Sequence, residues 1–487
     1  MTGVPVHDPR SGSGRAACPA TAAGTAELPT APRRLRRSLG FLATASLSIG
    51  VMAPTLAMSI TGASAAHLIG RAAPLAFLCA AVGVAVVAYG FIRLAAEFSS
   101  AGSVYAFVGE TLGPRAGFLA GWALLGTYLV FPPVSIAGVA IFGQALLRTV
   151  RLAPGTDWFV IAVAAGIAIW LLAARGISPV TRSLLFFEGA SVLLILVLMV
   201  VIVARLAVGD APAGQRLSLE IVRWPAGVPV SALVLAATSG FLAFAGFESA
   251  GSLGEESRWP TWAIPRAIVT AVVFGAVFYV TCMTVQTLGF GTDPGGVRAF
   301  AGSSAPLGDL AISYVGRWLA AALDVGAMLS AVGAGLGGVV VGSRMMFAFA
   351  RDGLVPRLLA WIAPGTRTPA RALAVEMVFG LSTLAAFRIA GTPPIRVFFY
   401  LATIGVLNLL VMYALTNVAA GRLPRRRGRR RDVVLPGLGG LTAGYVLYRN
   451  VWPVPPTPFD VLPYVVAAWL VVGVLLAVGP VRPRGQR

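Results

Sequence analysis

Lysine is absent from the sequence, so all 38 basic residues are arginines. Without a lysine the chain cannot contain a nucleotide-binding P-loop, and ATP-driven work by this chain alone is unsupported. The chain has only two histidines, His7 and His67. Its three cysteines, Cys18, Cys79 and Cys282, lack the spacing of metal ligands. We therefore predict that the protein has no metal, needs no cofactor and is not an enzyme.

Charged residues are also scarce, at 11% of the chain, whereas hydrophobic residues make up 57% and the mean hydropathy is +0.84. This composition is typical of an all-α polytopic membrane protein whose surrounding partner is the lipid bilayer. The formal net charge is +20, but the arginines lie in tails and short loops and not on one polar domain. The charge therefore predicts membrane orientation and not nucleic-acid binding.

Apolar runs place twelve predicted transmembrane helices, and residues 1–37 before them are predicted to be a disordered cytoplasmic tail. Arginines are concentrated in the loops that this order assigns to the cytoplasm, most densely at 425–431. The asymmetry predicts that both termini are cytoplasmic in a multi-pass protein of the plasma membrane. The predicted spans are 41–65, 72–97, 114–147, 157–174, 183–206, 229–252, 266–290, 315–347, 371–388, 395–417, 433–449 and 460–479.

The first predicted span contains a cluster of residues that weaken a helix. Ser46, Ser48, Gly50 and Pro54 lie within LATASLSIGVMAPTLAMSITG. Pro54 has no amide hydrogen and suits the first turn of a helix. The backbone near 51–53 therefore either leaves helical geometry before a second half-helix, or forms a simple proline kink.

The sixth span has a comparable weak point in FLAFAGFESAGSLGEESRWPTWAIPR, residues 241–266. Glu248 follows Gly246 by two residues, and a carboxylate in apolar sequence is costly unless it faces a cavity or a partner. A structural hydrogen bond is the alternative role for Glu248. Interrupted helices at corresponding places in two halves indicate a transporter site. Half-helix N-termini attract a carboxylate and unwound carbonyls an ammonium, which suits a zwitterion.

Three motifs resemble those of the amino acid–polyamine–organocation superfamily of permeases. They are AAEFSSAGSVYAF after span two, FAGFESAGSLGEESRWPTWAIPRAI across span six, and SRMMFAFARDGLVP, followed by a Thr-Pro pair, after span eight. The likeness covers residues 38–480. It implies a five-plus-five inverted repeat of the LeuT type, with broken helices 1 and 6. The first repeat would be 38–206 and the second 207–420, and 421–487 would hold two further spans and a short cytoplasmic C-terminus.

The resemblance also implies that the substrate binds between the two broken helices. Its carboxylate would meet backbone amides near Met52 and Ala53, and its ammonium would meet carbonyls near Ile49 and at 242–245. A glycine-small-glycine signature common in the family is replaced here by Val51-Met52-Ala53, and Leu242 replaces a tryptophan of some exchangers. The implied substrate-binding residues are Ile49, Val51, Met52, Ala53, Phe241, Leu242, Phe244, Ala245 and Gly246.

Coupling to an ion is predicted from acids within the spans. Some proton-coupled relatives place a lysine in span five, where this chain has Glu188. We predict that Glu248 or Glu188 exchanges a proton, with Glu248 preferred, since a structural hydrogen bond is the favoured role for Glu188. Sodium is the alternative ion, and its site would use the span-eight hydroxyl of Ser330. Two further acids, Asp324 and Glu376, would face a watery vestibule or pair with arginine.

These features predict a secondary active transporter, a permease that takes up a neutral, apolar or small L-amino acid with protons by alternating access. The breaks contain no acidic ring or arginine clamp for a doubly charged ligand. Two alternatives stay open: an obligate exchanger of amino acids or polyamines, and a membrane sensor that transports nothing. The identity of the substrate and the oligomeric state do not follow from the sequence.

Overall fold

The computed structural model describes residues 40–98, 104–153, 155–175, 178–253, 257–363, 366, 368–424, 429–455 and 457–478. All of these residues belong to one unit, 37–487. Several sequence predictions lie outside the described residues. They concern the N-terminal tail with His7 and Cys18, the middle of the first motif at 99–103, the acids at 255–256, the arginines at 425–427 and the C-terminal end after 478.

The elements are α-helices joined by short 3-10 helices, so the predicted all-α class is confirmed. The 3-10 helices are Gly70–Ala72, Leu219–Val222, Phe247–Leu253, Arg357–Ala360 and Phe459–Val461. The α-helices are α1 (Phe41–Met52), α2 (Pro54–Ile69), α3 (Ala73–Glu97), α4 (Val104–Leu112), α5 (Pro114–Thr149), α6 (Trp158–Arg175), α7 (Ser178–Val208), α8 (Ser231–Phe244), α9 (Pro260–Phe290), α10 (Pro294–Gly302), α11 (Pro306–Tyr314), α12 (Arg317–Arg351), α13 (Ala370–Ile389), α14 (Pro394–Arg422), α15 (Arg431–Val451) and α16 (Leu462–Val478).

Ten stretches of the described residues are long and apolar enough to cross a membrane, which makes this a multi-pass membrane protein. The first stretch, Phe41–Glu97, has 57 residues. At about 1.5 Å per residue it is more than twice as long as the bilayer core is thick, and so has the length of the first two predicted spans. Helix α15, the predicted eleventh span, is not among the ten.

Helix α9 begins earlier than its predicted span, at Pro260 instead of residue 266. A proline in the first turn lacks only an amide hydrogen that has no partner there, and its fixed φ suits a helix start. Pro265 lies inside the same helix, where the sequence had placed the end of a loop. The helix therefore extends beyond the N-terminal end of the predicted span, 266–290.

Helix α5 lies at the centre of the bundle and α16 at its edge. The most apolar part of α5 is 89% buried within the protein, against 22% for α16. Glycines let α5 approach its neighbours closely: a Cβ on Gly117 would lie 2.6 Å from the Gly109 Cα of α4. The central position of α5 makes it a wall of the site described below.

Arg93 joins α3 to the end of α14 and the start of α15. Its guanidinium donates to the carbonyls of Ala420 and Pro424, each at 3.0 Å, and to the carbonyl of Asp432. The Arg93 side chain is buried, and the last carbonyls of a helix lack the i+4 amide partners that its interior carbonyls have. One arginine therefore neutralises the exposed carbonyl end of α14 and fixes α15 beside it.

Candidate functional site

The boundary between α1 and α2 is a single residue. Helix α1 ends at Met52, Ala53 adopts the left-handed conformation with φ of 47°, and α2 begins at Pro54. The amide of Ala53 donates to the carbonyl of Gly50 at 3.2 Å. A side chain at positive φ is strained by about 1–2 kcal/mol, and Ala53 tolerates it inside packed surroundings.

The second interruption follows α8. Helix α8 ends at Phe244, Ala245 has an extended ψ of 128°, and Gly246 has φ of 110° before the 3-10 helix starts at Phe247. Only glycine adopts this φ without strain. The chain direction therefore changes at Gly246, in the sixth predicted span.

The two interruptions touch each other. The Ser48 hydroxyl of α1 donates to the carbonyl of Phe247 at 2.9 Å and lies 3.4 Å from the carbonyl of Gly246. A Cβ on Gly246 would lie 3.0 Å from the Met52 amide nitrogen and 2.9 Å from Val51 Cγ1. Backbone from the two interruptions is thus brought into direct contact, which requires glycine at residue 246.

The N-terminus of α2 is capped by side chains from other helices. The amide of Thr55 donates to Glu188 Oε1 of α7 at 2.9 Å, and the amide of Leu56 donates to the Ser330 hydroxyl of α12 at 3.2 Å. Glu188 is 7% exposed. A carboxylate at a helix N-terminus is stabilised by the free amides and the positive end of the helix dipole. Glu188 and Ser330, predicted for separate ion sites, are therefore neighbours at one helix end.

Glu248 binds the second interruption from within its own segment. Its Oε2 accepts hydrogen bonds from the Gly246 amide and from the Tyr413 hydroxyl of α14, both at 3.1 Å. The rings of Phe247 and Phe91 each pack within 5.5 Å of the Tyr413 ring. The carboxylate is thus buried, with two donors on one oxygen, and one of these donors belongs to a packed aromatic cluster.

A cavity of about 50 Å³ lies beside the first interruption. Five of the nine predicted substrate-binding residues line it, and its wall is mainly aliphatic with a few hydroxyls. The predicted residues that line it are Val51, Met52, Ala53, Leu242 and Ala245. We call it the central cavity.

Four predicted residues do not line the central cavity: Ile49, Phe241, Phe244 and Gly246. The two aromatic residues among them pack against other helices. The Phe241 ring packs over Gly83 of α3, and the Phe244 ring packs over Gly275 and edge-on to Tyr279 of α9. Each ring fills a notch left by a glycine on a neighbouring helix. In this structure both side chains are therefore packing residues directed away from the cavity.

Most of the cavity wall comes from α5, α12 and α14, and these residues were not predicted from the sequence. No motif marks these residues, although the consecutive Pro132 and Pro133 inside α5 are an unusual feature that lies beside them in the sequence. Tyr413, the partner of Glu248, was also missed. The missed wall residues include Thr127, Phe131, Ser135, Ala334, Phe398, Ala402, Val406 and Leu409.

Glu376 differs from its prediction. It is fully buried, and among the described residues neither of its carboxyl oxygens has a hydrogen-bond partner. It therefore neither faces a vestibule nor pairs with arginine, because α13 presents it to Gly342 of α12. Asp324, the other acid, lines a second cavity at one end of the bundle.

Comparison with known proteins gives consistent matches. A family model described as an amino acid permease matches residues 39–479. The branched-chain amino acid permease BcaP of Bacillus subtilis is 26% identical over 91% of this chain and 93% of its own length. An uncharacterized transporter of Mycobacterium tuberculosis is 31% identical, covering 84% of this chain and 86% of that protein. The low-affinity putrescine importer PlaP of Escherichia coli is 25% identical, covering 69% and 72%.

Proposed function

Because the chain belongs to the amino acid permease family of the amino acid–polyamine–organocation superfamily, we propose that it is a secondary active transporter for a neutral L-amino acid. It works by alternating access in the plasma membrane, with both termini in the cytoplasm. The proposal includes twelve spans in a five-plus-five inverted repeat, with α1–α2 and α8 with its following 3-10 helix as the broken helices 1 and 6. The arginine asymmetry of the loops supports the orientation.

One observation carries this proposal: two helix interruptions contact each other beside a cavity. The Ser48 hydroxyl, beside the first interruption, donates to the Phe247 carbonyl of the second. The cavity is lined by Val51 and Met52 from the first interruption and by Leu242 and Ala245 from the second. Broken helices that meet at a cavity provide free backbone groups without exposing them to lipid. Such groups recognise the ammonium and carboxylate shared by all amino acids.

The aliphatic cavity wall supports an apolar substrate side chain. Val130, Val134, Phe398, Val406 and Leu409 surround the space with carbon atoms. An ionised or strongly polar side chain would be desolvated there without compensation. At about 50 Å³ the central cavity is smaller than an amino acid, so the walls must separate as the site opens. We therefore infer that this conformation is a closed one.

The contacts at α2 suggest how protons couple to transport. Glu188 and Ser330 hold the Thr55 and Leu56 amides, so the first free amides of α2 are occupied. The Ala53 amide, which was predicted to receive a substrate carboxylate, donates to the Gly50 carbonyl. A proton on Glu188 would remove its negative charge and release the Thr55 amide to the substrate. This competition favours Glu188 over Glu248 as the coupling group, the reverse of the order given by the sequence. Sodium coupling stays the alternative, although the Ser330 hydroxyl already accepts from Leu56.

Uptake into proteoliposomes tests the proposal. The purified full chain is expected to accumulate labelled L-leucine under an inward proton gradient, with competition from other apolar amino acids. Acidic amino acids and diamines should compete weakly. Failure of every amino acid to compete would reject the substrate class. Replacement of sodium by choline should leave uptake unchanged. A loss of uptake in choline would establish sodium as the coupled ion.

A variant of the cavity wall makes this test specific. Ala402→Leu places three more carbons into the central cavity and should lower uptake about tenfold or more by overpacking the substrate space. Ala414→Leu is the matched control, since Ala414 lies on the same helix, half-buried and outside the cavity wall. Equal losses in both variants would remove the central cavity from the proposal.

A second candidate is the exchange of amino acids or polyamines, and one relative supports its polyamine substrate. PlaP is named as a putrescine importer, and the two buried glutamates near the interruptions could balance a cationic amine. An obligate exchanger would take up label only into vesicles preloaded with substrate. Equal uptake into empty and preloaded vesicles would exclude this candidate.

A further inference from the structure

A second cavity, of about 360 Å³, lies where α5 ends and α12 begins. Helix α11 and the connection that precedes it complete its wall. This volume is far larger than the space that one water needs, so the cavity has room for a small organic molecule. Five lining residues are ionisable: Arg148, Arg151, Asp309, Arg317 and Asp324. We call this space the end cavity.

Asp324 forms the buried floor of the end cavity. It is 3% exposed, and its hydrogen bond from the Thr149 hydroxyl is long, at 3.5 Å. No basic nitrogen of the described residues lies within 4.0 Å of its carboxylate. Gly308 leaves open space beside it, because a Cβ there would lie 3.4 Å from Asp324 Oδ1. A buried carboxylate with so little compensation is suited to receive a cationic group.

The rim of the end cavity has a net positive charge, because three arginines face one exposed acid, Asp309, which accepts a hydrogen bond from the Ser303 hydroxyl. Arg148, Arg151 and Arg317 are exposed, and none of them forms an ion pair within the part of the chain that the structure describes. Arg148 uses Nε to bond the Gln144 carbonyl at 3.2 Å, which leaves its terminal amino groups available. Guanidinium groups bind carboxylates with paired hydrogen bonds. The cavity thus combines an anionic floor with a cationic rim.

The end cavity is separate from the central cavity but shares two of its helices. Ser135 lines the central cavity and Thr149 the end cavity, about 20 Å apart along α5 at 1.5 Å per residue. Along α12, about 15 Å separates Asp324 from Ala334 of the central cavity. A ligand in the end cavity therefore contacts the same two helices that form the central wall.

We propose that the end cavity is a second binding site for a small zwitterion, an amino acid, with its ammonium on Asp324 and its carboxylate on the rim arginines. This goes beyond the proposed function, which uses the central cavity alone. The predicted topology puts the end of α5 outside the cell. There the site captures an amino acid before it enters the central cavity.

Equilibrium binding of labelled L-leucine to the purified full chain tests the site by stoichiometry. The wild-type protein should bind two molecules per chain. Asp324→Asn keeps the shape and removes the charge, and should retain one molecule, with binding at the end cavity about tenfold weaker or lost. Gly308→Ala, which narrows the space beside Asp324 without backbone strain, should weaken the same site.

Ala402→Leu separates this proposal from the proposed function. If both are right, this variant loses the central molecule and keeps the one that Asp324→Asn removes. If the proposed function is wrong and the central cavity binds no leucine, the wild-type protein binds one molecule, and Asp324→Asn abolishes that binding. If the end site is the error, wild type and Asp324→Asn bind leucine identically, and that result overturns the proposal.

Two leucine analogues test the charge arrangement. Isoamylamine lacks the carboxylate, so it cannot contact the rim arginines through it. Isocaproate lacks the ammonium, so it cannot form the ion pair with Asp324. Both are expected to displace leucine from the end cavity at least about tenfold less well than unlabelled leucine. Displacement by isoamylamine as strong as that by leucine, or by sodium chloride alone, would show a simple cation site and refute the zwitterion.

Discussion

The two helix interruptions are held in different ways. At the first, Ala53 takes a strained conformation, and the following amides are capped by Glu188 and Ser330 from two other helices. At the second, Gly246 takes its φ without strain, and Glu248 caps it from two residues away. The first interruption therefore depends on the positions of α7 and α12, whereas the second is largely set by its own sequence.

This difference separates a responsive region from a fixed one. Moving α7 by a few ångströms would break the Glu188 bond and free the α2 N-terminus, without changing any residue in the first interruption. Glu248 moves with the segment that it caps, and Tyr413 adds one contact from α14. A ligand that competes for backbone amides therefore displaces Glu188 from α2 more easily than it displaces Glu248 from the second interruption. Variants of both interruptions test this contrast.

Gly246→Ala should have the largest effect. The new Cβ adds strain at φ of 110° and lies within 3.0 Å of Val51 and Met52 atoms. We expect a loss of about 3 kcal/mol of stability and no measurable leucine uptake. Thermal unfolding in detergent and uptake by proteoliposomes measure both. Gly251→Ala is the matched control, because among the described residues its Cβ would come within 4 Å of Phe107 alone, at 3.6 Å. Equal stability of the two variants would contradict a fixed second interruption.

The next largest effect separates Glu188 from Glu248. Glu188→Gln weakens the charged bond to Thr55, so leucine should bind about tenfold more tightly while uptake loses its dependence on pH. Glu248→Gln should lower stability by about 1 kcal/mol and keep the pH dependence, since its carboxylate does not occupy an amide that the substrate needs.

Uptake and leucine binding in acidic and neutral buffer decide between the two glutamates. Glu188→Asp, which keeps the charge on a shorter side chain, controls for the loss of shape. Should Glu248→Gln lose the pH dependence instead, the coupling group is at the second interruption and the proposed competition at α2 is wrong.

Local sequence chemistry was sufficient to locate the weak points of the backbone. Pro54 and Gly246 act on their own φ angles, so their effects can be read without knowing any neighbour. The family followed from motifs of the same local kind, and the match over residues 39–479 confirms it.

What the sequence could not provide was the pairing of distant segments. The bond from Thr55 to Glu188 depends on α7 lying beside α2, and the contact of Glu248 with Tyr413 depends on the place of α14. The orientation of Phe244 was missed for the same reason, since the notch at Gly275 belongs to another helix. No periodicity within one helix encodes these relations.

Ser48→Ala tests whether the two interruptions depend on each other. The Ser48 hydroxyl donates to the Phe247 carbonyl from a buried position, so its loss should cost about 1 kcal/mol. Thermal unfolding measures the cost, and Ser46→Ala on the same helix is a control that removes a hydroxyl without a bond between the interruptions. A Ser48→Ala protein as stable as this control would mean that the two interruptions are held independently.

Ala53→Gly should have the smallest effect and gives the sharpest contrast with Gly246→Ala. Glycine relieves the strain at φ of 47° but gains freedom in the unfolded chain, and the two contributions of about 1 kcal/mol oppose each other. We expect stability within about 1 kcal/mol of wild type and retained uptake. Ala57→Gly, inside helix α2, should cost about 1 kcal/mol because glycine there loses entropy without relieving strain. If Ala53→Gly is the more damaging of these two variants, the first interruption is fixed by Ala53 itself, and its control by α7 and α12 would have to be abandoned.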